Sequence, residues 1–142
     1  MNLQTASAAI SFAKKLEDES AKFYEDLAQR YTEGKDTFLS FAKENGKNVV
    51  QIERVYHEVI TDAIEGCFAF NLNPDEYTVK TELAEEASYS EALDKAVEIE
   101  EKIIKFYSDA AEQSKALLAD VPRVFTMIAK KRSSRMSLKS NL

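Results

Sequence analysis

Apolar side chains recur every three or four residues through four stretches of this 142-residue chain, which is the spacing of one face of an amphipathic helix. The first stretch reaches about Tyr31, and Thr5 or Ser7 offers a side-chain oxygen to cap its first turn. Gly34 then interrupts the pattern, and Asp36 offers a cap for a second helix. The chain is therefore predicted to begin with a helical hairpin.

The second helix is predicted to end near Gly66, although Gly46 in its middle costs about 1 kcal/mol relative to alanine. Asn71 and Pro74 are typical turn residues, so residues 67–88 are predicted to form a crossover with at most short structure. Helical spacing then returns in two further stretches. The connection between the two pairs of helices is therefore long.

Ser88 and Glu91 form a capping-box pattern that opens a third helix. Asp120, with a proline two residues later, opens a fourth helix, and residues 137–142 are predicted to fray. The whole chain, 1–142, is thus predicted to be a single all-α domain, a four-helix bundle of two hairpins joined by a long crossover. A plain up-and-down bundle with a loop excursion is the alternative, and helical spacing alone does not separate them.

Composition agrees with long helices, because the chain has only three glycines and two prolines while 31% of its residues are charged. A net charge of −6 predicts a poor nucleic-acid binder. The single cysteine, Cys67, excludes an intrachain disulfide and is expected to be a buried apolar residue. No signal-peptide pattern or membrane-length apolar run is present, so a cytoplasmic protein without membrane contact is expected.

The chain also contains an internal repeat. A shift of 83 residues places Ala9–Ala28 over Ala92–Ala111 with eight identities, where chance gives about one or two. The second and fourth helices align less closely, at a shift of 87 residues with three identities. This duplication predicts a pseudo-twofold bundle in which Glu17 and Glu100 face each other near the centre. Such buried carboxylates are costly unless something neutralises them.

At about residues 5–136, the sequence resembles the rubrerythrin-like branch of the ferritin-like superfamily. The matching residues are Ala13, Glu17, Phe23 and Tyr24 on the first helix and Ala96, Glu100, Phe106 and Tyr107 on the third. The resemblance implies a bundle in which each odd-numbered helix supplies one Glu and each even-numbered helix supplies Glu-x-x-His. Together these residues hold two iron or manganese ions.

The even-numbered helices depart from this pattern. In place of the two Glu-x-x-His motifs, the sequence has Asn45 and Asn48 in one hairpin and Arg132 and Arg135 in the other. Four of the six ligands that the resemblance implies are therefore replaced.

The replacements conserve charge. Two carboxylates with two guanidinium groups sum to zero, as four carboxylates with two divalent cations do. We therefore expect an ion-pair network at a vestigial metal site, in which Arg132 and Arg135 neutralise Glu17 and Glu100 and repel metal ions. No cofactor is expected. If a metal does bind, iron or manganese on Glu17 and Glu100 is the alternative.

Three other features carry weaker functional signals. Glu53 and His57 lie four residues apart and are expected to form an exposed pair rather than a metal site. Lys130 and Lys131 are expected to oppose the dipole of the fourth helix rather than bind nucleic acid. Tyr24 and Tyr107 are expected to be core residues with satisfied hydroxyls.

The leading functional prediction is a non-catalytic ferritin-like protein that acts as a structural or interaction module. A homodimer through helix faces is expected, and the protein partner is unknown. The alternative is a metal-binding oxidoreductase of rubrerythrin type with a non-standard ligand set. A third possibility is a small-ligand binder that uses the arginine pair as an anion site, which requires a cavity.

Overall fold

A computed structural model of the chain describes residues 2–59, 68–115 and 120–137. Within these ranges it contains four long helices, which are α1 (Ala6–Arg30), α2 (Lys35–Val59), α3 (Tyr89–Ser114) and α4 (Val121–Ser133). Two short strands, β1 (Leu3–Thr5) and β2 (Phe68–Leu72), pair antiparallel. The all-α prediction is therefore confirmed for the described part of the chain, where no helix is both long and apolar enough to cross a membrane.

Side-chain caps define the starts of α1 and α3. The Thr5 hydroxyl accepts a hydrogen bond from the backbone N–H of Ala8 at 3.1 Å, so Thr5 rather than Ser7 caps α1. Ser88 and Glu91 form both hydrogen bonds of the predicted capping box, at 3.0 and 3.1 Å. These side chains satisfy backbone donors that the first helical turn leaves free.

The predicted start of α2 differs from the structure, whereas that of α4 does not. Asp36 lies inside the first turn of α2, which already begins at Lys35, so the prediction of a cap at Asp36 is wrong. Its negative charge still favours the helix N-terminus. Asp120 lies directly before α4, so the predicted start of that helix is confirmed, and its carboxylate forms an ion pair with Arg123 at 3.3 Å rather than a capping hydrogen bond. The predicted end of α2 near Gly66, Cys67 and the tail beyond Ser137 lie outside the described residues.

The helices form two hairpins, because α1 packs mainly against α2 and α3 packs mainly against α4. Two hydrogen bonds fix how the hairpins meet: Tyr24 of α1 contacts Glu100 of α3, and Tyr107 of α3 contacts Glu17 of α1. The later residue of α1 contacts the earlier residue of α3, and the earlier residue of α1 contacts the later residue of α3, so the two helices are antiparallel. Consequently α2 and α3 run parallel, and the connection between them must return along the bundle. This is the crossover topology and not the up-and-down alternative.

The described part of the crossover contains short structure that anchors it to the bundle. The backbone N–H of Asn71 in β2 donates to the Gln113 side chain at 2.7 Å. A 3₁₀ turn at Pro74–Glu76 follows, and the Tyr77 hydroxyl donates to Asp109 at 2.7 Å. The prediction of at most short structure holds over residues 68–88. The pairing of β1 with β2 was not predicted.

Aromatic residues repeat the pseudo-twofold relation. Tyr24 packs against Phe38 with ring centroids 6.1 Å apart, and Tyr107 packs against Phe125 at 5.5 Å. These two pairs are equivalent in the internal repeat. They form apolar walls on α1–α2 and α3–α4 that enclose the polar centre between them.

Gly46 and Gly34 provide a test of these helix contacts. Gly46 lies in the middle of α2, and a Cβ there would meet nothing within 4 Å. We expect Gly46→Ala to raise the free energy of unfolding by about 0.5–1 kcal/mol, because alanine loses less backbone entropy in a helix.

A Cβ at Gly34 would clash with the Tyr89 hydroxyl and lie 2.9 Å from the Phe38 ring. Gly34→Ala is therefore the matched control and should lower stability in the same urea titration; a stabilising Gly34→Ala would contradict the packing described.

Candidate functional site

The structure brings all six site residues predicted from the sequence to the centre of the bundle. Each side chain is at most 1% exposed. Five lie on the four helices, and the sixth lies on a 3₁₀ turn, Ser134–Ser137, that directly follows α4. We call these residues the central cluster: Glu17, Asn45, Asn48, Glu100, Arg132 and Arg135.

Arg132 lies between the two carboxylates and binds both. Its Nε and Nη2 atoms contact the two oxygens of Glu17 at 3.1 and 2.9 Å. Its Nη1 atom donates to the two oxygens of Glu100 at 2.7 and 2.9 Å. Nη2 also donates to the Ser20 hydroxyl at 3.1 Å. One guanidinium group therefore connects α4 to both α1 and α3.

Arg135 neutralises the cluster from the side of α2. Its Nη1 atom donates to Glu100 at 3.3 Å, and its Nη2 atom donates to Glu44 at 2.7 Å. The guanidinium group also lies 4.7 Å from the centre of the Phe41 ring, a cation–π contact. Its ion pairs thus join α3 to α2: it shares Glu100 with Arg132, and Glu44 is its second partner.

Two tyrosines complete the hydrogen bonding of the carboxylates. Tyr24 donates to Glu100 and Tyr107 donates to Glu17, each at 2.6 Å. Burial and the adjacent carboxylates raise the pKa of both hydroxyls well above the ordinary value of tyrosine. Both tyrosines therefore stay protonated and act as donors. The expectation of satisfied hydroxyls is confirmed, and the partners are the opposing glutamates.

The two asparagines orient Glu17. Asn48 Nδ2 donates to the Glu17 carboxylate at 3.1 Å, and Asn45 Nδ2 donates to the Glu17 backbone carbonyl at 3.0 Å. Asn45 also donates to the Ser20 hydroxyl at 2.7 Å, which in turn donates to the Leu16 carbonyl at 2.8 Å. These contacts hold α2 against α1 at the centre of the bundle.

The four fully buried charges of the cluster sum to zero. Burial raises the pKa of the Glu100 carboxyl, but Arg132, Arg135 and the Tyr24 hydroxyl together hold it below its usual range. Burial also opposes the charge of Arg132, yet the two carboxylates raise its pKa well above the ordinary value. The charged forms of Glu100 and Arg132 are thus favoured over their neutral forms. The expected pairing of two glutamates with two arginines is present.

The donor set does not fit a two-metal centre. Each of the four oxygens of Glu17 and Glu100 already accepts a hydrogen bond from an arginine, a tyrosine or an asparagine. Two permanently charged guanidinium groups adjoin these oxygens and oppose any added cation. Over residues 2–59, 68–115 and 120–137, no group of three or more His, Cys, Asp or Glu side chains is arranged to hold a metal.

The remaining candidates lie away from the cluster. Glu53 and His57 are on the surface of α2, and Glu53 forms an ion pair with Lys14 of α1 at 2.8 Å. This bond to Lys14, and to a lesser degree His57, lowers the pKa of the Glu53 carboxyl. Lys130 lies on the exposed side of the last turn of α4. None of these side chains contacts the central carboxylates.

Two residues of the site, Ser20 and Glu44, were not predicted from the sequence. Ser20 lies one turn after Glu17, and its spacing places it on the same helix face. This spacing is the one signal that could have identified it. Glu44 precedes Asn45 and is 36% exposed, so no pattern distinguishes it from the other surface acids of α2.

Comparisons with models of protein families, with curated proteins and with solved structures find no match for this chain. Functional inference therefore depends on the residues and their geometry.

The central position of Arg132 predicts a large effect of its removal. Arg132→Met leaves two buried carboxylates with one buried cation, and we expect it to lower the free energy of unfolding by about 3–5 kcal/mol. Arg123→Met on the same helix is the matched control, because that side chain is 78% exposed, and it should change stability by less than about 0.5 kcal/mol. Similar small losses for both variants in urea denaturation would contradict the role given to Arg132.

The lowered pKa of Glu100 predicts a specific pH dependence. A carboxyl whose folded pKa lies below its unfolded pKa contributes stability above the unfolded value, near 4.3, and loses it as the pH falls through the folded value. Glu100→Gln should therefore be less stable than the wild type at pH 7, and the difference should shrink as the pH falls below about 4. A difference that stays constant from pH 7 to pH 3 would show that Glu100 is not stabilised as an anion.

Proposed function

We propose that this protein is a non-catalytic member of the ferritin-like superfamily, of the rubrerythrin-like branch, that acts as a structural or interaction module. In this proposal the central cluster replaces an ancestral two-metal site. The observation that carries it is the position of Arg132, whose guanidinium group binds Glu17 and Glu100 together. A fixed side-chain cation thus lies between the two glutamates that the resemblance assigns to the metals.

The topology supports the ferritin-like assignment. The two hairpins repeat in sequence, the long connection returns along the bundle, and α1 and α3 face each other through reciprocal hydrogen bonds. The four residues at the positions of the absent Glu-x-x-His motifs all surround the same two glutamates. This convergence is expected if the register derived from the resemblance is correct.

The loss of catalysis follows from how the cluster is occupied. An oxidoreductase of rubrerythrin type needs carboxylates that are free to bind metal, and here their oxygens are engaged by fixed donors. An anion site on the arginines is also disfavoured, because Arg132 and Arg135 already bind carboxylates with both of their terminal nitrogens. A binding role for the outer surface of the bundle therefore remains. Homodimerisation and a cytoplasmic location stay predictions.

A metal-binding measurement tests this proposal. Purified wild-type protein incubated with Fe(II) or Mn(II) should retain no stoichiometric metal, and its melting temperature should not change, because tight binding would raise it. The comparison variant carries Asn45→Glu, Asn48→His, Arg132→Glu and Arg135→His, which restores the ligand set that the resemblance implies. We expect this variant to bind metal and to depend on it for stability.

A matched control adds Glu17→Gln to the restored variant and should weaken that metal binding. Two equivalents of metal bound by the wild type with a raised melting temperature would contradict the proposal. A restored variant that folds without metal and binds none would contradict the assigned register.

A further inference from the structure

An open groove of about 930 Å³ runs along the outer side of the α3–α4 hairpin, away from the central cluster. Its apolar lining comes from Ile104 and Ala111 on α3 and from Pro122 and Met127 on α4. The lining covers three turns of each helix, which corresponds to about 17 Å at 1.5 Å per residue. This is the length of a helix of about eleven residues.

The rim of the groove is basic, although the chain as a whole carries a charge of −6. Four basic side chains, Lys115, Arg123, Lys130 and Lys131, line it together with one acidic side chain, Glu112. Glu112 pairs with Lys115 at 2.9 Å. Neither Lys130 nor Lys131 has an ion-pair partner among the residues that the structure describes.

This basic rim belongs to one half of the repeat only. The internal repeat gives Thr32, Asp36, Lys43 and Glu44 as the counterparts of Lys115, Arg123, Lys130 and Lys131. Three of the four basic positions are thus neutral or acidic in the first hairpin. The basic rim is therefore not a general property of the duplicated scaffold.

We propose that this groove binds an acidic amphipathic helix of about three turns from a partner protein. An apolar floor between two helices accepts the apolar face of a third helix, and the basic rim pairs with acidic residues beside that face. The negative charge of the rest of the chain repels such a helix elsewhere, which confines it to the groove. The biological meaning of this inference rests on the proposed interaction role, but the binding itself does not depend on the absence of metal.

A designed peptide pair tests the groove in the full-length protein. The acidic peptide carries leucine at positions i, i+3, i+4 and i+7 with glutamate elsewhere, and the second peptide carries lysine in place of glutamate. By fluorescence anisotropy, the acidic peptide should bind the wild type at least about tenfold more tightly than the basic peptide, and added salt should weaken it. Lys130→Glu combined with Lys131→Glu should raise its Kd at least about tenfold.

Lys43→Glu is the matched control, since Lys43 is the exposed counterpart of Lys130 on the first hairpin, and it should leave the Kd unchanged. Thr126→Trp, which places a bulky ring within the groove, should also weaken binding. Absence of acidic-peptide binding up to millimolar protein, or equal loss with Lys43→Glu, would overturn the proposal. The proposal would also be overturned if the protein bound phosphatidylglycerol vesicles instead of the peptide and the double variant abolished that binding. No metal is added in this assay, so a failure of the peptide to bind is distinct from a failure of the proposed function, which is tested by metal binding.

Discussion

Two carboxylates at the centre of this bundle are shielded from bulk solvent and must be neutralised by other side chains. Arg132 binds both of them, and Arg135 supplies the second positive charge. Burying an unpaired carboxylate costs several kcal/mol of free energy. A nearby cation offsets this cost fully only if the carboxylate oxygens also receive hydrogen bonds. Here the planar guanidinium group supplies both charge and directed N–H donors. Tyr24 and Tyr107 supply the next donors at 2.6 Å. Residues from all four helices contribute to meeting these requirements.

The same interactions determine how the four helices meet. Arg132 connects α4 to α1 and α3, Arg135 connects the 3₁₀ turn after α4 to α2 and α3, and Asn48 connects α2 to α1. Apolar packing would tolerate small shifts between helices, whereas these directed contacts accept one register. A buried ion-pair network of this kind contributes little net stability relative to an apolar core, and its main effect here is to specify the arrangement. On the function proposed above, the cluster keeps the geometry of a metal-centred bundle, with arginine side chains in place of the metal ions.

Much of this arrangement could be predicted from the sequence. The repeat identified Glu17 and Glu100 as facing residues. The family resemblance then pointed to the positions of Arg132 and Arg135, and charge balance predicted the pairing. Helix spacing and the Ser88–Glu91 capping box predicted the helices, because both depend on local sequence. The contacts missed were those that depend on tertiary geometry. The sequence does not distinguish Glu44 from other surface acids, because its contact with Arg135 depends on the position of the turn after α4. The strand β1 has only three residues, which is too few to show an alternating pattern of apolar and polar positions.

The most direct test of the central claim is a double-mutant cycle between Arg132 and Glu100. The free energy of unfolding is measured in urea for the wild type, Arg132→Met, Glu100→Met and the double variant. Each single change leaves one buried charge uncompensated, whereas the double change leaves Glu17 and Arg135 balanced. The account therefore predicts that the double variant loses less stability than the sum of the two single losses, with a coupling of about 2–3 kcal/mol. Additive losses within about 0.5 kcal/mol would contradict it.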